Sequence, residues 1–384
     1  MLFATTRANP HSSQARVSLI LPPNDSVIPF QTWKLAALAG KIKDMRPPSS
    51  FEPSVTEGGE VDFERGLQPR DFSEFLGQEN LLEPLRLMIR AALEREETVE
   101  HLLFTGLPGL GKTSLAMAMA KELSAPLKMT SGPALSRAKD LIGILSQLER
   151  GTLLFIDEIH RLPTEVEEYL YGAMDRFQIE WTFDAGVHAR LLKLDLQPFT
   201  LVGATTREAL LTPPFRSRFG HHLRFEPYSE TALAEIRARS AKLLGIDLDD
   251  AATSTLADHA RGTPRIANRL LRRSRDIAQL ENDNQIDEAV VQRTFGLLEI
   301  DERGLERPDR RLLEALAQAA GRPLGLKNLG VAVGEAEDTI AEVIEPWLIR
   351  QGLLQRTPQG RLLTPKGWAA VGMSAPPLSD SAEA

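Results

Sequence analysis

Residues 106-GLPGLGKT-113 lie between an apolar run, 101-HLLFTG, and a helix-forming run, 114-SLAMAMAKEL. Gly, four residues, then Gly-Lys-Thr is the eight-residue pattern of a phosphate-binding loop, found here in the strand-to-helix context the pattern requires. Gly106, Gly109 and Gly111 let backbone N–H groups turn inward around phosphates at a helix N-terminus, where the helix dipole adds positive potential. Lys112 reaches the β- and γ-phosphates, and the Thr113 hydroxyl is a Mg²⁺ ligand. ATP and Mg²⁺ are therefore the expected ligands.

Outward from this loop, further short apolar runs, 127-LKMTSG, 152-TLLFIDE and 199-FTLVGATT, alternate with amphipathic helices. Strands of a parallel sheet buried on both faces have this composition, so the expected class is α/β. The run 153-LLFIDE ends in two acids about forty residues past Lys112. Asp157 suits Mg²⁺ and Glu158 suits orientation and deprotonation of an attacking water. His160 and Arg161 follow, with packing or a local salt bridge as even an explanation as chemistry. In 203-GATTR, Thr205 or Thr206 can sense the γ-phosphate. In 216-RSRF, Arg216 or Arg218 can serve a neighbouring copy as an arginine finger, an effect of roughly 10³ to 10⁵ in rate. Arg265, just after Pro264 in 262-GTPRIANRLLRR, projects from a helix start towards the phosphates, with Thr263 as candidate cap. Arg269, Arg272 and Arg273 read as a solvated or interdomain basic face.

A chain of 384 residues exceeds the roughly 250 to 300 at which single cores stop growing. Five segments are expected. Residues 1–62, rich in Pro, Ser and Gly, read as a disordered extension. Residues 63–227 form the sheet domain, with a β-hairpin inserted at about 178–195. Residues 228–303 form a small helical domain without strands, with Ser229 and Asp249 as N-caps. Residues 304–372 carry three helices and a two-stranded wing around 358-PQG, the winged-helix pattern. Residues 373–384 read as a tail.

Net charge is −8 and cysteine is absent. The first excludes a generally basic nucleic-acid coat, and the second excludes disulfides and thiolate metal sites. No run reaches the ~18 to 20 apolar residues of a membrane helix. The cytoplasm is the expected compartment. Six Lys or Arg against two acids in the first 46 residues also fit an organellar transit peptide, but a solvated tail is preferred. From Trp347 to Gly372 there is no acid, while Arg350, Arg356, Arg361 and Lys366 are positive. Arg356 and Arg361 flank the wing turn and are the candidate phosphate contacts of a weak, sequence-independent DNA grip.

Together, GLPGLGKT, TSGPAL (130–135), LFIDEIHRL (154–162), PFTLVGATTR (198–207), RFG (218–220), RGTPRIANRLLRR (261–273) and LQRTP (354–358) resemble the RuvB family of AAA+ motors. That family drives branch migration at Holliday junctions in recombination and repair. The resemblance covers about residues 63–372. It implies a P-loop ATPase domain, a helical lid and a winged helix, assembled as a homo-hexameric ring on duplex DNA. It implies a RuvA-like partner at the hairpin 178–195 and a RuvC-like resolvase as a further partner. By resemblance, Lys112, Thr113 and Ser114 sit at phosphates and Mg²⁺, Asp157 and Glu158 are the paired acids, and Thr206 or Thr205 is the first sensor. Arg218 is the finger, Arg265 the second sensor, and Leu67 and Tyr228 lie near the adenine. Nucleotide contacts are also expected at Gln68, Asp175, Arg176 and Phe177. The chain departs from the family pattern at Leu107 for Pro, Ser114 for Thr, Gln68 for Arg, Gln359 for Arg and the triplet 175-DRF. The nearest rivals are a clamp-loader-like or initiator-like ATPase, and a non-hydrolysing winged-helix regulator.

Overall fold

The computed structural model describes residues 66–183 and 190–376, with side chains 181–192 excepted. The expectations for residues 1–62, for the hairpin tip and for the end of the tail lie outside the described residues. Asp62–Ala384 is one compact unit.

Helix α1 (Glu79–Glu94) leads into β1 (Leu102–Thr105), the phosphate loop and α2 (Lys112–Glu122), followed by β2 (Leu127–Ser131), α3 (Ala138–Leu145) and β3 (Leu153–Asp157). Then come α4 (Thr164–Arg176), the hairpin β4 (Gln178–Phe183) and β5 (Arg190–Asp195), β6 (Thr200–Thr205), the turn α5 (Pro213–Arg216) and β7 (His221–Arg224). The sheet runs β2-β3-β6-β1-β7, with all neighbours parallel. Successive side chains point to opposite faces. Leu102, Phe104, Leu153 and Phe155 enter one core with Leu115 and Met119 of α2, whereas Leu103, Leu154 and Ile156 enter a second with Leu141 of α3 and Leu170 of α4. Both faces being covered explains why β1, β3 and β6 are continuously apolar. β7 escaped the sequence pattern because 221-HHLR is an edge strand with only Leu223 buried.

The lid holds α6 (Glu230–Leu244), β8 (Asp247–Leu248), α7 (Asp250–Asp258), α8 (Pro264–Glu281), β9 (Gln285–Ile286) and α9 (Glu288–Leu298). The Ser229 hydroxyl accepts from Ala232 N at 3.2 Å and the Asp249 carboxylate from Ala252 N at 2.6 Å, as caps do. Two expectations are corrected. The lid does contain strands: β8 and β9 pair in parallel over two residues, too short for any alternation to register. Thr263 holds the position before α8 but its side chain makes no cap bond. Its hydroxyl turns back towards Arg261 O at 3.5 Å instead of accepting from the first turn of α8. Tyr228, Leu233, Ala260 and Ala267 share the core of the sheet's α2 face, which seats the lid beside the phosphate loop.

The winged helix comprises α10 (Arg307–Gln318), α11 (Leu326–Val333), the turn α12 (Glu337–Thr339), a π-helical turn (Ile340–Ile344), α13 (Glu345–Arg350), the wing β10 (Leu354–Thr357) and β11 (Gly360–Leu363), and α14 (Pro365–Ala370). Its own core centres on Leu312, Leu348, Trp347 and Trp368. Arg261 ties it to the lid: its guanidinium donates to Gly304 O at 2.7 Å and Asp309 at 2.6 Å, and lies 4.1 Å over the Trp347 ring. Arg269 adds a 2.6 Å bond to Glu306, so this arginine of the basic face is interdomain.

Candidate functional site

The C-terminal ends of β1, β3 and β6 meet at one edge of the sheet, where ligands of open α/β sheets bind. Their register places Thr105 opposite Thr205, and Ile156 opposite Gly203. The loop leaving β1 turns at Gly109 (φ +79°) and at Gly111 (φ +94°), the N-cap of α2. A Cβ on Gly109 would come within 2.8 Å of Thr263 Cγ2 and 2.9 Å of Arg265 Cβ, and one on Gly111 within 3.2 Å of the Phe75 ring. Glycine is thus required by backbone conformation at both positions, and by the closeness of the lid at Gly109 and of Phe75 at Gly111.

A cavity of about 290 Å³ opens over this loop. It gathers Leu67, Gln68, Gly109, Gly111, Lys112, Thr113, Ser114, Asp157, Glu158, Thr206, Tyr228 and Arg265, supplied by the entry segment, the loop, β3, the end of β6 and the lid. Lys112 is buried, and its ammonium donates to the carbonyls of Gly106 (2.8 Å) and Leu107 (2.9 Å). Burial lowers its pKa to about 8, against the opposing pull of Asp157 and Glu158. Phosphate oxygens are the natural partners for such an ammonium, which can exchange carbonyls for them without crossing the cavity. Tyr228 donates to Leu110 O at 3.2 Å, and burial raises its phenol pKa, so it stays neutral.

The two threonines are separated by their surroundings. Thr205 is 1% exposed; its hydroxyl lies 2.9 Å from His160 Nδ1 and accepts from Arg207 N at 2.9 Å. Thr206 faces the cavity, and its hydroxyl donates to Glu342 Oε2 at 3.0 Å. His160 is therefore engaged by Thr205, with burial lowering its pKa. Arg161 pairs with Glu158 at 3.0 Å.

The cavity also gathers side chains that the sequence reading did not single out. Arg239, on α6, lines the cavity, donates to Leu67 O at 2.9 Å and pairs with Glu74 at 2.5 Å, clamping the entry segment onto the lid. Phe75 and Asn268 also line it. The only sequence signal for Asn268 was its place within GTPRIANR, three residues past Arg265.

Asp175, Arg176, Phe177 and Arg218 stand apart from the cavity lining. Arg218 bonds Asp175 at 3.0 Å and Pro214 O at 2.6 Å, and its guanidinium lies 4.2 Å from the Tyr171 ring centre. Arg176 is exposed. Phe177 ends α4 at φ +51° and packs against His101 and Phe199.

Comparison with known proteins settles the family. Models of the Holliday junction DNA helicase RuvB P-loop domain, the RuvB AAA lid domain and the RuvB C-terminal winged helix domain match residues 67–225, 228–301 and 302–372. The Holliday junction branch migration complex subunit RuvB of Streptomyces coelicolor is 48% identical over 324 residues, 84% of this chain and 91% of that one. The chain belongs to the RuvB family. The Salinibacter ruber subunit of the same name is 47% identical over 316 residues, 82% of this chain and 92% of that one. The solved Thermotoga maritima RuvB Holliday junction branch migration motor superposes with a TM-score of 0.75 at 43% identity, covering 81% of this chain and 100% of that one. The expected P-loop domain, lid and winged helix are the RuvB arrangement.

Within that RuvB arrangement, the wing holds its two candidate arginines differently from expectation. Arg356 and Arg361 are cross-strand partners. Both turn onto the fully buried carboxylate of Glu345 at the start of α13, Arg356 at 2.6 Å and Arg361 at 2.6 Å. Arg361 is 17% exposed and Arg356 49%, so only Arg356 keeps a largely accessible guanidinium. The acid-free stretch beginning at Trp347 hid this carboxylate by two residues.

Proposed function

We propose that this chain is an ATP-hydrolysing DNA motor that migrates Holliday junctions, working as a homo-hexameric ring on duplex DNA. The observation that carries this reading is the convergence of the phosphate loop, Asp157, Glu158, Thr206 and Arg265 on one cavity, with Arg218 outside it. A group that cannot reach its own nucleotide suits action on a neighbour's, and that needs a ring. Asp175 would orient Arg218 towards the adjacent copy, where Arg176 and Phe177 border the shared site.

ATP fits the site: the glycine cradle leaves room for phosphates, Lys112 is desolvated beside it, and Leu67 and Tyr228 offer apolar surface for a base. Thr113 and Asp157 would hold Mg²⁺. Among the described residues no group of three or more His, Cys, Asp or Glu is placed to hold a metal ion, and Mg²⁺ needs none, since it keeps waters and uses one or two protein ligands with phosphates. When bound, the ion neutralises charge on the β- and γ-oxygens. Glu158 accepts the proton of the attacking water, Thr206 donates to the γ-phosphate, and Arg265 reports the nucleotide to the lid. Rotation of lid against sheet then moves the winged helix with its duplex. The hairpin 178–195 is the proposed seat of a RuvA-like junction-binding partner, and a RuvC-like resolvase would act on the same assembly. The cytoplasm suits such a protein; no helix among the described residues is long and apolar enough to cross a membrane.

Glu158→Gln tests the chemistry. It should bind ATP as tightly as the wild type while hydrolysis falls by about 10² or more. Unchanged hydrolysis would favour the non-hydrolysing regulator, in which Glu158 has no task.

A further inference from the structure

Two acids of the winged helix, Asp338 in α12 and Glu342 in its π-helical continuation, reach the end of β6 beside the cavity. Glu342 accepts the Thr206 hydroxyl proton at 3.0 Å and pairs with Arg207 at 2.5 Å. Asp338 pairs with Arg207 at 2.6 Å and lies 3.8 Å from Arg161, which itself holds Glu158 at 3.0 Å. One short segment of the DNA-binding domain therefore touches both the γ-phosphate sensor and the partner of the water-activating base.

We propose that Glu342 is a positioning residue for ATP hydrolysis, holding the Thr206 hydroxyl away from the γ-phosphate until the winged helix moves. The inference rests on the ATPase reading above. A hydroxyl has one proton to donate. A γ-phosphate oxygen is an acceptor only, so Thr206 serves either Glu342 or the phosphate. Two anions cannot share that proton at short range without repulsion, so the docked Glu342 and a bound triphosphate oppose one another, whereas a diphosphate lacks the competing group. Coupling of this kind is reciprocal: what undocks the segment favours ATP, and ATP favours undocking. Arg207 supplies the counter-charge that keeps Glu342 and Asp338 docked.

The segment is built to shift. Ile340–Ile344 is π-helical, a rare geometry frequent at functional sites. Its next residue is Glu345, the buried carboxylate gripped by both wing arginines. A phosphate that drew Arg356 off Glu345 would load the same helix whose preceding turn carries Glu342. Duplex on the wing and triphosphate in the cavity thus act on one element from its two ends.

The test uses the full chain. Steady-state ATP hydrolysis is measured for wild type, Glu342→Ala, Asp338→Asn, Thr206→Ala and the Glu342→Ala/Thr206→Ala double variant, with and without duplex DNA. Glu342→Ala should raise the DNA-free kcat about fivefold or more and lower the KM for ATP, since the docked segment no longer opposes the triphosphate, and should shrink the stimulation by DNA to match. Asp338→Asn should act in the same direction, and the double variant should hydrolyse no faster than Thr206→Ala. A role in structure alone would lower the melting temperature without raising kcat, and that result would overturn the proposal. Hydrogen exchange of residues 337–345 gives a readout free of hydrolysis: a non-hydrolysable ATP analogue should increase exchange there and ADP should not. If the wild type hydrolyses no ATP, the motor reading fails, and equal exchange with both nucleotides would separately sink the latch.

Discussion

Lys112 illustrates how one side chain carries a measurable consequence. Burial holds its ammonium at a pKa of about 8, while phosphates favour the charged form. As pH rises through about 8, the free protein loses this proton and nucleotide binding must take it up again, so affinity falls. The expected loss is up to roughly tenfold per pH unit above 8, with a flat profile below about 7. Titration calorimetry in buffers of different ionisation enthalpy would reveal the proton uptake; pH-independent affinity from 7 to 9.5 would contradict it. Arg237 is the opposite case, a buried charge without a task. It is fully buried in α6, none of its three guanidinium nitrogens makes a hydrogen bond, and burial pulls its pKa down to about 10 with only Asp258 opposing. Replacing a buried, poorly satisfied charge by an apolar side chain of similar size is neutral or stabilising by about 1–4 kcal/mol. Arg237→Met should therefore melt no lower than wild type and several degrees higher at best; a clear fall would mean that the guanidinium has a role. Residues of the phosphate loop were legible in the sequence because their chemistry needs contiguous positions. Arg237, Arg239 and Glu342 were not, since a charge that pairs or strands itself across domains leaves no spacing to read.

Among the elements, strands β1, β3 and β6 were legible because burial on both faces makes them continuously apolar. β7 and the two-residue β8 and β9 were not, because an edge or a two-residue pair imposes no pattern. The wing shows the limit of reading charge along the chain. Four cations and no acid from Trp347 to Gly372 pointed to phosphate contacts, yet helix α13 places Glu345 beneath the wing, where it offsets two of them. The cross-strand arginines would repel one another without it. Glu345→Ala should then destabilise the winged helix by about 3–5 kcal/mol, because it leaves the mostly buried Arg361 guanidinium without its partner. Differential scanning calorimetry would show it, and an unchanged melting temperature would contradict it. Arg356 and Arg361 should separate: Arg356→Ala should lower duplex affinity and reduce the slope of log affinity against log salt by about 0.9, with little effect on melting. Arg361→Ala should chiefly lower the melting temperature. Equal effects on the salt slope would mean that both reach phosphate.

At the scale of the whole molecule, sheet domain and lid line one cavity together, and the winged helix touches one of its lining residues. The lid reaches it through Arg265, Asn268 and Tyr228, and the winged helix through Glu342 on Thr206. Arg218 stands away from it, held by Asp175 and the Tyr171 ring of α4. Its isolation turns the central claim, a motor that hydrolyses ATP between copies, into a mixing experiment. Migration of a synthetic four-way junction is followed in the presence of a RuvA-like partner while wild-type subunits are titrated with Arg218→Ala. Rings with shared sites should lose migration faster than the wild-type fraction falls, and hydrolysis should return when Arg218→Ala is mixed with Lys112→Ala, since each supplies what the other lacks. Loss strictly proportional to the mutant fraction, with no recovery in the mixture, would contradict sites built between neighbours.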